Sequence, residues 1–185
     1  PSIAFYPLSL IYGFVINLRN FLYDHKILKS YSSALPTICV GNVTVGGSGK
    51  SPFVQYLAEN LSRLNYQPVI LLRGYKGNIQ GPHLVSKRDN IAEVGDEALM
   101  HFKKLGDKVK IVIAKDRISG SKFIAENKLG NIIILDDGLQ HRSLNCSKNL
   151  LLLEISNEQS IKKWSSNLLL PAGYLREPLS SVLKR

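Results

Sequence analysis

Cysteine is scarce, with only Cys39 and Cys146 in 185 residues and no metal-ligand spacing between them. Two thiols far apart in sequence cannot build a disulfide framework. They suit a reducing, cytosolic compartment, where free cysteines act as small buried apolar residues. Negative charge is also short: 14 Asp and Glu face 24 Lys and Arg, for a net charge of +10. That excess suits a polyanionic partner such as nucleic acid, anionic lipid headgroups or a phosphorylated substrate. No Lys/Arg-rich block stands out, which argues against nucleic acid. No internal repeat and no low-complexity tract occurs. The apolar fraction of 44% and charged fraction of 21% are ordinary for a globular chain, and 185 residues suit one domain with a real core.

A long unbroken apolar run is missing as well. The most apolar stretch, Ile3 to Tyr23, is interrupted by Pro7, Ser9 and Asn17 and reaches Arg19 early. A spanning helix needs roughly 20 mostly apolar residues, and no small-residue cleavage site marks a secretory signal. With Arg19, Lys26 and Lys29 and the rings of Tyr6, Tyr12 and Tyr23, it reads as a helix lying in a membrane interface. The alternative is a helix packed into the core. The chain opens on Pro1 rather than Met and closes on Lys184-Arg185 after apolar Val182-Leu183, so either end suits the boundary of a longer protein.

From Pro36 onward short apolar runs alternate with helical segments. Strands are expected at 37–40, 68–72, 110–114, 131–135 and 150–153. Helices are expected at 52–64, 96–105 and 117–128, and a long loop at 74–90. Runs this short and β-branched-rich suit strands covered on both faces, as in a parallel sheet. The expected fold is α/β: a P-loop NTPase-like, doubly wound, mostly parallel sheet flanked by helices. Residues 1–35 form the apolar helix and linker, and 36–185 the core.

After the first strand comes Gly41-Asn42-Val43-Thr44-Val45-Gly46-Gly47-Ser48-Gly49-Lys50-Ser51-Pro52. A phosphate-binding loop lies between strand and helix and ends in Gly-Lys-Ser/Thr. Gly49-Lys50-Ser51 match, although Thr44 stands at the first glycine position. Gly46 and Gly47 let backbone N–H groups turn toward phosphate oxygens, and a helix opening at Pro52 adds its positive end. Lys50 then reaches the β- and γ-phosphates, and the Ser51 hydroxyl ligates Mg²⁺. The fourth strand runs into Asp136-Asp137-Gly138-Leu139-Gln140-His141. Adjacent carboxylates at a buried strand end repel unless a cation is near, which fits a metal shared with ATP. A turn capped by Asp, with Gly138 at positive φ, is the simpler explanation of the same residues.

Five motifs in order carry a resemblance across almost the whole chain. They are the loop from Gly41 to Pro52, Arg73-Gly74-Tyr75, Gly95-Asp96-Glu97, Asp136 to His141, and Leu170-Pro171-Ala172-Gly173-Tyr174-Leu175-Arg176-Glu177. Together the sequence resembles the tetraacyldisaccharide 4′-kinases of lipid A biosynthesis in Gram-negative bacteria. Pro7 to Gly13 is similar to that family's membrane-associated start. The resemblance implies transfer of the ATP γ-phosphate to the 4′-hydroxyl of an acylated glucosamine disaccharide 1-phosphate. It implies a monomer at the cytoplasmic face of the inner membrane, held by the N-terminal helix, with ATP and Mg²⁺ as cofactors.

By the same resemblance Asp96 is the catalytic base, although on spacing alone it reads as a carboxylate facing a helix dipole. Lys50, Arg117 and Arg176 complete the catalytic group. Thr44, Val45, Gly46, Gly47, Ser48, Gly49, Lys50, Ser51 and Gln140 bind nucleotide, and Arg73 and Tyr75 touch the acceptor. Ser51, Glu97, Asp136, Asp137 and Glu177 surround the metal. Ser51 stands where the family usually has Thr. Family members continue past Arg176-Glu177 into a second lobe, with a His assisting the catalytic Asp. Two other readings remain open: a soluble P-loop kinase whose first helix is core, and a non-enzymatic nucleotide-dependent membrane switch.

Overall fold

The computed structural model describes residues 3–46 and 49–185, so Gly47 and Ser48 of the phosphate loop lie outside the described residues. In chain order the elements are α1 (Tyr6–Asp24), β1 (Tyr31–Ser32), β2 (Thr37–Gly41), α2 (Lys50–Arg63), β3 (Pro68–Leu72), β4 (His83–Leu84), α3 (Ile91–Val94) and α4 (Asp96–Leu105). There follow β5 (Lys110–Ile113), α5 (Arg117–Glu126), β6 (Ile132–Asp136), β7 (Leu144–Asn145), β8 (Lys148–Leu151), α6 (Glu158–Ser165) and α7 (Leu179–Leu183).

Six strands form one sheet in the order β4-β5-β3-β6-β2-β8, parallel except for β4, while β1 and β7 pair separately. Every residue of β3 and β6 is buried, as runs without polar alternation require. Alternate strand residues serve opposite layers. Val40, Ile70, Leu72, Ile111, Ile113 and Ile134 pack with Val54 and Ala58 of α2 and Ala98, Leu99 and Leu105 of α4. Cys39, Val69, Leu71, Val112, Ile133 and Leu135 pack with Ile124 of α5 and Val182 of α7. The doubly wound α/β expectation therefore holds. Because β6 lies between β2 and β3, its carboxyl end adjoins the end of β2, the place where open α/β sheets bind ligands.

Several local expectations are corrected. Helix α2 begins at Lys50, with Gly49 at φ 69° as its N-cap, so Pro52 lies inside the first turn. The last strand is 148–151, not 150–153, with Lys148–Leu151 in register against Ile38–Gly41 of β2. The expected loop at 74–90 contains β4, antiparallel to β5. In the acidic turn it is Asp137, not Gly138, that takes positive φ, at 52°. Cys39 and Cys146 meet in the fold. Contact with Cys146 and burial push the Cys39 thiol up.

Helix α1 runs unbroken through Ser9 and Asn17, with Pro7 in its first turn where no N–H is needed. Its buried positions are Ser9, Gly13 and Asn20, not its large apolar residues. Ser9 Oγ donates to the Leu169 carbonyl at 2.7 Å and Tyr12 Oη to the Arg176 carbonyl at 2.6 Å. Phe5, Leu8, Leu10, Ile11, Phe14, Val15, Leu18 and Phe21 are exposed. The core-helix alternative therefore fails for this chain. Tyr12 and Arg19, expected at a membrane surface, instead turn toward the domain, because the polar side of α1 is the docked side. Among the described residues no helix is long and apolar enough to cross a membrane.

Candidate active site

A cleft of about 700 Å³ opens over the carboxyl ends of β2, β3 and β6, with Tyr12 and Arg19 of α1 forming part of its wall. Two close backbone approaches shape it. A Cβ on Gly41 would come 2.7 Å from Leu139 Cγ, and one on Gly95 would come 2.3 Å from the Tyr75 carbonyl oxygen. Gly95, at φ 87°, thus lets the Arg73-Gly74-Tyr75 turn lie directly on the start of α4.

Lys50, in the first turn of α2, reaches across this switch point. Its Nζ donates to Asn42 Oδ1 at 3.2 Å and lies 3.6 Å from Asp137 Oδ1. Asp137 also accepts from Arg176 Nη1 at 2.9 and 3.2 Å, so one carboxylate holds two cations from different motifs. Left-handed backbone at a non-glycine costs of order 1–3 kcal/mol, and such residues cluster where function over-determines the chain. Arg176 is delivered by a strap that pairs with the phosphate loop. Arg176 N–H donates to the Val43 carbonyl at 2.7 Å, and Val45 N–H to the Tyr174 carbonyl at 2.9 Å. The Val45 N–H and the Thr44 hydroxyl, which accepts from Asn42 at 3.3 Å, are therefore engaged within the protein.

The carboxylates divide into three environments. Asp136 is buried, and its Oδ2 is 3.0 Å from Nε2 of His101, which is itself fully buried. Nδ1 of that ring has no partner among the described residues. A ring that carries a proton on Nε2 donates it to Asp136 Oδ2. Glu97 faces the cleft. Partial burial, then the Asp136, Asp137 and Asp96 carboxylates, push its pKa up from the ordinary value. Glu177 lies apart, fully buried, accepting from Arg185 Nη2 at 2.6 Å and Gln140 Nε2 at 3.3 Å. Arg19 approaches it at 3.9 Å. Among the described residues no three His, Cys, Asp or Glu close around a metal position. The crowding of Glu97, Asp136 and Asp137 nonetheless fits Mg²⁺, which uses one or two carboxylates and takes its other ligands from water and phosphate.

Asp96 is exposed at the head of α4, its Oδ1 accepting from the Glu97 N–H at 3.0 Å, and is not part of the cleft lining. Arg117 is buried, with Nη1 donating to the Ala114 carbonyl at 2.7 Å. Burial and then Arg73 push its pKa down to about 10, which leaves it a cation at neutral pH. Arg73 and Tyr75 stand exposed at the cleft rim. Gln140 is tied to the Asn42 carbonyl at 3.0 Å and faces both cleft and Glu177. Burial, then Arg117 and Arg73, lower the His141 pKa.

A family model described as LpxK, tetraacyldisaccharide-1-P 4′-kinase, matches residues 1–185. The chain belongs to this family. It is 42% identical to the tetraacyldisaccharide 4′-kinase of Aquifex aeolicus over 180 residues, which is 95% of this chain and 54% of that protein. The Porphyromonas gingivalis kinase is 35% identical, over 95% of this chain and 48% of the relative. The crystal structure of "apo" form LpxK from Aquifex aeolicus in complex with ATP superposes with a TM-score of 0.87 at 40% identity. That match covers 98% of this chain and 56% of the other. The chain thus spans about half the length of the kinases it matches.

Two site residues of this family member escape a reading of the sequence. His101 lies one turn beyond Glu97 on the inner side of α4, and its partner is 35 positions away. Arg19 looks like a flanking interfacial charge, yet it lines the cleft.

Proposed function

We propose that this chain is the nucleotide-binding half of a kinase that moves the γ-phosphate of ATP onto the 4′-hydroxyl of an acylated glucosamine disaccharide 1-phosphate. The observation that carries the reading is the meeting of Lys50, at a glycine-capped helix start, with Asp137 at the end of the adjoining strand. A helix N-terminus and a lysine beside an acidic strand end are what Mg-ATP requires.

In this reading Gly46, Gly47, Ser48 and Gly49 belong to the nucleotide-binding set, and Lys50 leaves Asp137 for the β- and γ-oxygens. Ser51, Asp136, Asp137 and Glu97 would hold Mg²⁺, which would supply charge neutralisation for the transferring phosphoryl group. Asp136 has one oxygen oriented by His101, and its carboxylate would be held in place for the cation. Glu177 acts from behind, fixing Gln140 and Arg185. Arg117 and Arg176 offset charge on the moving group. The acceptor lies against Arg73 and Tyr75, and Asp96 takes the hydroxyl proton as the new O–P bond forms and the β–γ bridge breaks. Asp96 must turn from its own helix start to do so. The outward apolar face of α1 rests on the lipid surface of the inner membrane, and the net charge of +10 favours an anionic leaflet.

The test is transfer of labelled γ-phosphate from ATP to tetraacyldisaccharide 1-phosphate in detergent. It compares the full-length protein, its Lys50→Ala variant and these 185 residues alone. Transfer by the full-length protein, abolished in Lys50→Ala with the fold retained, is expected. Retained turnover in the variant removes the phosphate-loop role, and no transfer by any form removes the kinase reading.

A further inference from the structure

Arg176 is held in three directions at once. Its N–H donates to the Val43 carbonyl of the phosphate loop at 2.7 Å, and its guanidinium donates to Asp137 at 2.9 Å. Its carbonyl accepts from Tyr12 Oη of α1 at 2.6 Å. The first two contacts belong to the nucleotide site. The third belongs to a helix whose large apolar side chains face away from the domain.

Tyr12 does not act alone. Ser9, one turn earlier on the same side of α1, donates to the Leu169 carbonyl at 2.7 Å, and a Cβ on Gly13 would come 2.9 Å from Leu169 Cδ1. Leu169 and Arg176 lie near the two ends of a strap, 168–176, that is closed on itself. Gly173 N–H donates to the same Leu169 carbonyl at 2.8 Å, Leu170 N–H to the Leu175 carbonyl at 2.9 Å and Leu175 N–H to the Leu168 carbonyl at 3.1 Å. Leu175 is fully buried and bridges to Thr44. Helix α1 therefore grips both ends of a closed turn that is paired with the phosphate loop, and what fixes α1 also fixes Val43 to Val45 and the guanidinium on Asp137.

That grip depends on α1 being helical. A helix draws most of its stability from packing, and α1 buries none of its large apolar side chains in the domain. A lipid surface supplies the missing contact, because only the helical form gathers Leu10, Ile11, Phe14, Val15, Leu18 and Phe21 on one side. The exposed Lys26 and Lys29 just past its end suit anionic headgroups. The same helical form sets Ser9 and Tyr12 against the strap. Lipid and strap use opposite sides of α1, so they do not compete. Two ligands that favour one conformation of a protein bind it cooperatively. We propose that a lipid surface and Mg-ATP bind this protein cooperatively, each favouring the docked, helical α1 that fixes the strap. This rests on the placing of α1 on lipid proposed above, and it adds a link from that surface to the nucleotide.

The experiment uses the full-length protein without acceptor. Affinity for Mg²⁺ with a non-hydrolysable ATP analogue is measured with and without vesicles of phosphatidylcholine and phosphatidylglycerol, and vesicle partition with and without the nucleotide. Vesicles are expected to tighten nucleotide binding about five-fold, at the low end for coupled sites, and nucleotide to strengthen partition by the same factor. The double variant Ser9→Ala, Tyr12→Phe should still sediment with vesicles but bind nucleotide equally well in their presence and absence. A strap that α1 merely braces predicts weaker nucleotide binding with the five-fold difference kept, and that result overturns the proposal. Should the double variant lose its thermal unfolding transition, Tyr12→Phe alone and the two wild-type measurements decide the matter. A wild type that sediments with vesicles while its nucleotide affinity ignores them overturns the coupling alone. A wild type that does not sediment overturns the placing of α1 on lipid, and the coupling with it.

Discussion

Helices α1 and α4 border the same cleft and are attached to the domain by opposite means. Helix α4 turns Ala98, Leu99, His101 and Leu105 inward, and its acidic head, Asp96-Glu97, projects from a base held by apolar burial. Helix α1 turns Ser9, Gly13 and Asn20 inward and leaves its large apolar residues outside. Burial of apolar surface gives tens of calories per Å², so α4 is anchored by bulk, whereas α1 hangs on a few hydrogen bonds of about 1 kcal/mol each. The difference separates a platform for charged groups held by apolar burial from an element whose large apolar side chains are exposed.

The largest expected effect tests the outer face of α1. Phe14 is 69% and Ile11 62% exposed. In the full-length protein, Phe14→Asp with Ile11→Asp should weaken partition onto anionic vesicles by two to four orders of magnitude, since each large side chain is worth about 1.5–3 kcal/mol when buried. Unfolding free energy should move by only about 0.5 kcal/mol, as for other surface changes. Urea titration and vesicle sedimentation read the two quantities. A collapse of the fold with partition unchanged would erase the contrast.

Next in size is the inner side of α4. His101→Ala should cost about 2–4 kcal/mol in urea unfolding, because it leaves a cavity and strips Asp136 of its partner. Turnover should fall as well. His101→Gln, which can still donate to Asp136, should recover part of the turnover, whereas a purely packing role predicts recovery by His101→Leu instead.

How much of this pair was legible in the sequence follows from the same physics. The strands of the sheet announce themselves because residues buried on both faces are apolar without alternation, as in Pro68–Leu72 and Ile132–Asp136. The edge strand slipped most, by two residues, since Leu150 to Leu153 stays apolar past the register with β2 that ends at Leu151. Gly49-Lys50-Ser51 is legible because its geometry is local. Helix α1 is legible as a helix with one strongly apolar face, and that face is exposed, but its polar residues Tyr12 and Arg19 are expected on the wrong side. The roles of Tyr12 and Arg19 depend on Arg176 and Glu177, more than 150 positions away, and pattern within one helix cannot show them. His101 and the left-handed backbone of Asp137 are silent for the same reason, and the resemblance names Glu177 as a metal neighbour without showing its buried bonds to Arg185 and Gln140.

A smaller effect belongs to the inner face of α1. Ser9→Ala and Tyr12→Phe each remove one hydrogen bond to a strap carbonyl, at Leu169 and Arg176. Each should cost about 1 kcal/mol. Because the strap also carries Arg176 to Asp137, KM for ATP in the full-length protein should rise more than kcat falls. Equal changes in both would mean that α1 does not set the strap.

The smallest effect concerns the acidic head of α4 and has a sign that can be derived. The Glu97 carboxyl is raised from 4.5 by partial burial, then by Asp136, Asp137 and Asp96. A raised carboxyl means that the folded state holds its proton to higher pH than the unfolded chain. In acid, below the ordinary value, Glu97 is protonated in both states and contributes nothing. As pH rises through the window between the ordinary and the raised values, the folded state loses stability, and the loss persists at neutral pH. Glu97→Gln should therefore stabilise the metal-free protein at neutral pH, by about 0.3 kcal/mol after discounting for solvent screening, and leave it unchanged in acid. Saturating Mg-ATP should reverse the order, because the cation relieves in the wild type the repulsion that the variant lacks. Thermal unfolding at both pH values, with and without Mg-ATP, decides the matter. A variant less stable than wild type at neutral pH without the cation would mean that Lys50 and Arg176 already neutralise Glu97. The head of α4 would then be an ordinary ion-paired surface, and the contrast with the hydrogen-bonded face of α1 would shrink to a difference in packing.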